Sequence, residues 1–182
     1  MFAPTLKLRL IGAAFVAAAL AGCASMTVRS YTERGAQFPH YTTYIWGTPD
    51  ELTTGDPRLD NNPFFRDRVR ADVDRLLAER GFKKVMAAPA DLIVHYHASF
   101  HDRIDVNGID REYGYCEDVD SCRPYIAEAG TLTIDLVDAK AKRLAWRGWA
   151  EGTVDGMVEN QAYMEKKVDD AVTRIVENIP RR

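Results

Sequence analysis

The chain has 182 residues, of which 46% are hydrophobic and 28% are charged, and its formal net charge is −3. This length and balance are typical of one globular domain that can bury a sizeable core. The small acidic excess gives no electrostatic footprint for nucleic acid, and beyond the N-terminus no apolar run approaches the ~20 residues of a membrane-spanning helix.

The N-terminus has the pattern of a secretion signal. Lys7 and Arg9 supply positive charge, and an apolar run continues to Leu20-Ala21-Gly22-Cys23. This tetrapeptide is a lipobox, at which a lipoprotein signal peptidase cuts before a cysteine that becomes acylated. We predict that residues 1–22 are removed and that Cys23 carries fatty acyl chains such as palmitate. The alternatives are an uncleaved N-terminal anchor, or cleavage at another site.

The predicted mature protein would depend on its lipid for membrane attachment. Removal of Lys7 and Arg9 with the signal leaves 22 basic against 27 acidic side chains, a net charge of −5, and no polybasic patch. Two or more acyl chains are sufficient for stable anchoring. Ala24 follows the cysteine, and the absence of Asp at this position predicts the outer membrane, facing the periplasm.

Two further cysteines, Cys116 and Cys122, are an even pair in an oxidising compartment. A disulfide between them would close a seven-residue loop and contribute about 2.4 kcal/mol by the chain-entropy model. We predict this disulfide, with free thiols or metal ligands as the alternatives.

The segments after the signal divide into a tether and a domain. Residues 23–38 are predicted to be the lipidated cysteine and a tether, in which 27–31 is either a short strand or part of the tether. Residues 39–180 are predicted to be a single domain. Aromatic and β-branched residues predict a strand over 41–46, and a loop over 47–61 follows.

The first helix is predicted from its caps and its apolar stripe. Asn62 is the N-cap, Pro63 takes the first helical position, and Gly81 ends the helix in the left-handed conformation. The apolar side chains recur at spacings of three and four. They are Phe65, Val69, Val73, Leu76 and Leu77.

Alternation predicts three further strands before a second helix. Residues 91–100 form the first, and a long polar loop over 101–127 separates it from a hairpin of 131–137 and 144–150. Leu144 and Trp146 are both assigned to the core face of the returning strand. Asn160 is expected to cap the second helix, which Pro180 ends.

Two amphipathic helices require one sheet face to cover. The predicted fold is therefore α+β, a two-layer sandwich with a mixed sheet of four to five strands and both helices on one face. A strand-helix-strand crossover near the start would make part of this sheet parallel.

Four stretches carry a family resemblance. They are Tyr41-x-Thr43-Tyr44-x-Trp46, Ala90-Asp91-Leu92-x-Val94-x-Tyr96, the block Gly130 to Lys140, and Leu144-x-Trp146-Arg147-Gly148-Trp149-Ala150. Together they resemble the domain of unknown function 4136 family of bacterial lipoproteins, over nearly all of residues 27–180. The resemblance implies an envelope lipoprotein of α+β fold with no established enzyme activity, and it brings no catalytic residues.

Histidines supply the candidate metal ligands. His95, His97 and His101 share parity, so they lie on one sheet face if the strand continues that far. Imidazoles at i and i+2 on a strand can share a metal ion. The alternative is that they are ordinary residues of a half-exposed face.

A second candidate surface lies on the hairpin. Arg147 and Trp149 fall opposite the core face, where a cation–π contact between them is one interpretation. Asp135 lies on the same face of the paired strand, which predicts an Asp135–Arg147 ion pair. These residues form either a contact surface for a glycan or peptide or an ordinary structural pair.

Three functional hypotheses follow. The first is a non-enzymatic envelope lipoprotein, without a cofactor, that is attached to the membrane by its lipid. It has either a structural role or a binding role, and its partner is an unidentified envelope protein or glycan. The second is a periplasmic metal-binding lipoprotein that uses the histidine face. The third is a hydrolase or transferase with its site in the 101–127 loop, although no serine lies in a Gly-x-Ser-x-Gly motif.

Overall fold

A mixed six-stranded sheet with helices on one side forms the part of the chain that the computed structural model describes, residues 26–48, 54, 56–105 and 125–181. The strands are β1 (Thr27–Thr32), β2 (Thr43–Trp46), β3 (Lys83–Lys84), β4 (Leu92–Asp105), β5 (Tyr125–Asp138) and β6 (Arg143–Thr153). The helices are α1 (Pro57–Asp60), α2 (Pro63–Glu79) and α3 (Gln161–Glu177), and Phe38–His40 is a 3₁₀ turn.

The α+β class is confirmed, but the number of elements differs from the prediction. The sheet has six strands rather than four to five, and the described residues contain three α-helices rather than two. The missed elements are β3 and α1, with two and four residues. Neither is long enough to show a period in the sequence. The candidate strand near residue 27 is present as β1, which pairs with β6 at one edge of the sheet.

The strand order is β1-β6-β5-β4-β2-β3. Strand β2 pairs in parallel with β3 and with β4, and all the other pairs are antiparallel. The connection from β2 to β4 passes through α2, so the predicted crossover accounts for the parallel part of the sheet.

Both long helices begin and end as the sequence predicts. The side chain of Asn62 accepts a hydrogen bond from the backbone N–H of Phe65 (3.0 Å), and Asn160 does the same for Tyr163 (3.0 Å). Gly81 has φ 84° and follows the C-cap of α2. Because the N–H of Gly81 bonds to Ala78 and that of Phe82 to Leu77, the last carbonyls of α2 are satisfied.

The core lies between the two long helices and the inner face of the sheet. Trp146 is fully buried there, and its indole lies over the backbone of Gly148. A Cβ at Gly148 would come within 2.3 Å of the indole ring and 2.7 Å of Ile175, so only glycine leaves enough room.

Leu144 is not on the core face, which corrects the prediction. The register shifts between Leu136 and Val137, so that Leu136 pairs with Trp146 while Val137 pairs with Leu144. Ala145 is therefore the extra residue of a β-bulge, and the bulge turns Leu144 to the opposite side of the sheet. An alternation pattern alone does not reveal this extra residue.

The predicted loop over 101–127 is also too long. Strand pairing continues from Phe100–Gly130 to Asp105–Tyr125, so both strands of this hairpin extend well past the predicted ends. The segment has charged side chains on both faces, which weakens the apolar alternation that identifies a strand in sequence. Residues 106–124 of the predicted loop lie outside the described residues.

Within the described residues, no helix is long and apolar enough to cross a membrane.

Candidate functional site

The side of the sheet away from α2 and α3, which we call the outer face, carries most of the candidate residues. Its side chains come from alternate positions of β1, β4, β5 and β6, and most are half-buried or exposed. They include Arg29, Tyr31, His95, His97, His101, Thr131, Thr133, Asp135, Arg147, Trp149 and Glu151.

An ion pair lies at the centre of the outer face. Asp135 is only 4% exposed. Arg147 donates to both its oxygens, from Nε to Oδ1 at 2.7 Å and from Nη2 to Oδ2 at 2.6 Å. This bidentate pair confirms the predicted cross-strand contact, and the hydrogen bonds to Asp135 raise the pKa of the Arg147 guanidinium. The carboxylate therefore fixes the orientation of the arginine.

The predicted contact between Arg147 and Trp149 is absent from the structure. Cation–π pairs among the described residues join Arg58 to Phe100, Arg70 to Trp46 and Lys167 to Tyr163. Arg147 is oriented by Asp135 instead. Trp149 instead lines a cleft together with Arg29 and Arg103.

The three histidines do share the outer face, because β4 continues past His101. Nε2 of His97 is 3.8 Å from Oδ2 of Asp135, whereas Nε2 of His101 is 3.9 Å from Oε1 of Glu151. His101 is four residues beyond His97, about 13 Å along the strand. One ion therefore cannot be bound by all three, and no group of three His, Cys, Asp or Glu side chains suited to a metal ion occurs among the described residues.

A polar cleft of about 300 Å³ opens on the outer face between β1, β6 and the far end of β4. Thr27, Arg29, Arg103, Trp149 and Glu151 line it. Two guanidinium groups and an indole can bind a carboxylate together with a flat apolar or sugar surface. The sequence pattern indicated Trp149 but not Arg29 or Arg103. Arg29 lies in the segment predicted to be a short strand or part of the tether, and Arg103 lies in the predicted loop.

The motifs that carry the family resemblance make structural hydrogen bonds at one end of the sheet. Asp91 Oδ2 accepts from the backbone N–H of Thr42 (2.8 Å) and Thr43 (2.9 Å), and from both threonine hydroxyls. Asp138 accepts from the Tyr41 hydroxyl at 2.8 Å and from two backbone N–H groups of the next turn. These carboxylates join the starts of β2 and β4 to the β5–β6 turn.

Asp74 connects the family motif over residues 41–46 to α2, the first long helix. Its Oδ1 accepts from the Tyr44 hydroxyl at 2.7 Å and from the Trp46 indole at 2.9 Å, and its Oδ2 is 2.7 Å from Lys84. The pKa of the Tyr44 hydroxyl is raised, mainly by burial and secondly by its hydrogen bond to Asp74. No sequence signal distinguished Asp74 from the other charged residues of α2.

Several predicted positions lie outside the described residues. These are the proposed lipidation site Cys23, the cysteines of the proposed disulfide, Cys116 and Cys122, and most of the loop assigned to the enzyme hypothesis.

The fold and the outer face together define a class of protein. It is a two-layer α+β domain whose mixed sheet carries helices on one side and a polar, ion-paired surface on the other. The chain belongs to the family Domain of unknown function (DUF4136), whose model matches residues 27–181. That match begins at β1. No curated protein matches the chain.

Solved structures share the fold at low sequence identity. A PelC dodecamer from Paraburkholderia phytofirmans, in a single-substitution variant, has a TM-score of 0.51 and 11% identity, covering 86% of this chain and 98% of that one. A second PelC dodecamer from the same organism has a TM-score of 0.50 and 11% identity, with 86% and 99% covered. A PDZ domain protein from Parabacteroides distasonis has a TM-score of 0.49 and 15% identity, with 86% and 37% covered. At these identities the similarity concerns the fold alone.

Proposed function

We propose that this protein is a lipid-anchored, non-enzymatic lipoprotein of the bacterial envelope that binds another envelope component through the outer face of its sheet. The anchor is Cys23, and the domain faces the periplasm from the outer membrane. The lipobox supports the anchor. The cleft between Arg29 and Trp149 supports the binding role and is the observation that carries it.

The hydrogen bonds that Asp74, Asp91 and Asp138 accept favour binding over catalysis. Asp91 accepts four hydrogen bonds, and Asp74 and Asp138 each accept bonds from three groups. A general base requires an oxygen that can reach a substrate proton. Both oxygens of Asp74 and of Asp138, and Oδ2 of Asp91, already accept bonds from the protein's own donors.

The cleft has the chemistry for an acidic partner. Arg29 and Arg103 outnumber the one carboxylate of the cleft, Glu151, and Trp149 offers an aromatic face beside them. A carboxylate-bearing glycan or an acidic segment of an envelope protein would pair with the guanidinium groups and stack on the indole. A partner of this chemistry would gain both orientation and specificity from one site.

Site-specific photo-crosslinking in intact cells tests the binding role. We expect Trp149→p-benzoylphenylalanine to yield an adduct of defined mass, and we expect Arg29→Glu to reduce its yield. The matched control places the same crosslinker at Ala162, an exposed residue of α3 on the other side of the molecule. An adduct yield at position 149 no greater than that at Ala162 would contradict the proposal.

The adduct also identifies the partner. The matched PelC structures are dodecamers, so a second copy of this chain is the other candidate to occupy the cleft at Trp149. That occupant would give an adduct of twice the chain mass, whereas a glycan or another protein gives a different mass.

The alternative function is metal binding by His95 and His97. One observation favours it, since both histidines lie on the outer face beside Asp135, which pairs directly with His95 in the sheet. The bidentate bond to Arg147 opposes it, because that bond already uses both carboxylate oxygens. A zinc-induced rise in melting temperature that is lost in the His95→Gln/His97→Gln variant would favour this alternative.

A further inference from the structure

The far end of the β4–β5 hairpin presents two exposed isoleucines. Ile104 and Ile126 pair directly across the strands, and they are 71% and 70% exposed. Both are among the most exposed large apolar side chains of the described residues. A directly opposed aliphatic pair on a β-ribbon normally packs against something, because otherwise its apolar area stays in water.

This pair is not an extension of the core. Between it and the core lie Arg58 and Glu128, whose side chains form an ion pair at 2.5 Å, and the guanidinium of Arg58 stacks over the ring of Phe100 at 4.7 Å. The core therefore ends at Phe100, which this ion pair covers. Among the described residues, the isoleucines therefore lie beyond a charged layer and outside the core.

The isoleucine pair lies at the same end of the sheet as Met26, the first described residue. Met26 lies beside Gly152, which pairs with Gly130 on β5. From Gly130 to Ile126 the strand advances four residues, or about 13 Å, toward the hairpin end. The three residues from Met26 back to Cys23 can span at most about 11 Å. The lipidated cysteine can therefore reach close to the level of the isoleucine pair.

We infer that Ile104 and Ile126 form a second membrane contact, which enters the headgroup region of the bilayer in which the lipid of Cys23 is inserted. The inference rests on the proposed lipid anchor. Tethering at Cys23 holds the pair at a high effective concentration over the bilayer, so that two aliphatic side chains are sufficient to bias the orientation of the domain. The strands would then run away from the bilayer, with the cleft of Arg29 and Arg103 close to its surface.

The charges around the pair indicate which lipid surface it fits. Asp102 and Asp155 lie near this end of the sheet, and Oδ1 of Asp155 accepts a hydrogen bond from the backbone N–H of Glu128 at 2.6 Å. Arg58, which pairs with Glu128, and Arg103, which precedes Ile104, lie there too. Charges of both signs therefore surround the pair, so a bilayer with a net charge of either sign gains no clear attraction. A zwitterionic surface is therefore the expected contact, and vesicles of phosphatidylcholine and phosphatidylethanolamine are the appropriate probe.

Spin-label accessibility in these vesicles tests the inference. The full chain is produced with its own signal, with Cys116 and Cys122 replaced by serine and with Ile126→Cys carrying a nitroxide label. Acylated Cys23 does not react with the label. The matched control carries the label at Lys140→Cys, in the exposed β5–β6 turn at the opposite end of the sheet. Flotation of the vesicles measures anchoring in the same samples.

We expect the label at 126 to be more accessible to oxygen than to a water-soluble nickel complex, and the label at 140 to show the reverse. Adding Ile104→Asn should shift the label at 126 toward the aqueous pattern. An aqueous pattern at 126 in protein that still floats would overturn the inference and leave the lipid anchor intact. Failure to float would instead contradict the anchor on which the inference rests. Dipolar broadening between labels at 126 that disappears on dilution with unlabelled protein would assign the pair to contact between copies, and would also overturn it.

Discussion

Individual carboxylates hold the sheet together at the end that carries the family motifs. Asp91 is the strongest case, since backbone N–H groups and hydroxyls of two consecutive threonines converge on one of its oxygens. The backbone N–H of Thr42 contributes most, and together these donors lower the pKa of Asp91 to about 2.

This shift makes stability depend on pH in one direction. An unfolded aspartate titrates near 3.9, so the folded protein binds fewer protons at this site than the unfolded chain does between about pH 4 and pH 2. The stabilisation is fully present above about pH 4 and is lost as the pH falls toward 2. Its size is about 2 kcal/mol at neutral pH, as an order of magnitude.

We expect Asp91→Asn to lower the free energy of unfolding at pH 7 and to flatten its decline below pH 4. Urea titrations at a series of pH values measure both effects. Asp67→Asn, on the exposed side of α2 (side chain 73% exposed), is the matched control and should retain the wild-type profile. If the two variants had the same slope below pH 4, Asp91 would not be the source of the dependence.

At the scale of elements, Asp74 is the connection between α2 and β2. Tyr44 and Trp46 are 1% and 7% exposed, and both donate to this one carboxylate. Removal of a shared acceptor leaves two buried donors unsatisfied, which costs roughly 1–3 kcal/mol for each buried group.

We expect Asp74→Ala to reduce the free energy of unfolding by about 2–3 kcal/mol, with an unchanged denaturant slope. Glu79→Ala is the comparison within the same helix, since Glu79 is 60% exposed and makes one ion pair with Arg75. That change should cost less than about 0.5 kcal/mol. Equal losses in the two variants would show that Asp74 stabilises only through surface charge.

The elements that the sequence predicted correctly are those with local chemical signatures. Asn62 and Asn160 cap their helices through a contact three residues away, and Gly81 ends α2 because its φ of 84° is natural only for glycine. Local contacts of this kind can be read from spacing alone.

Features set by distant partners were missed. Strand β3 exists because two lysines pair with β2 forty residues earlier, and the bulge at Ala145 depends on how β6 meets β5. The polar segments 101–105 and 125–129 form strands because they pair with each other across the β4–β5 hairpin. For the candidate site, the Asp135–Arg147 pair was predictable from hairpin register. The cleft was not, because it joins Arg29 of β1 to Arg103 of β4.

At the scale of the whole molecule, the two ends of the sheet differ in role. One end carries the hydrogen-bonded carboxylates of the family motifs, and the other carries the start of β1 and the exposed isoleucine pair. In the proposed arrangement the second end faces the membrane. The outer face then lies along the side of the molecule, with the cleft at Trp149 close to the bilayer surface.

The measurement that tests the central proposal most directly is the mass of the N-terminal peptide of the protein extracted from bacterial membranes. We expect the chain to begin at Cys23 and to carry the added mass of its acyl groups, and we expect Cys23→Ser to leave the signal peptide uncleaved. A mature chain that begins at another residue, or a Cys23 without acyl groups, would contradict the lipid anchor and the orientation derived from it.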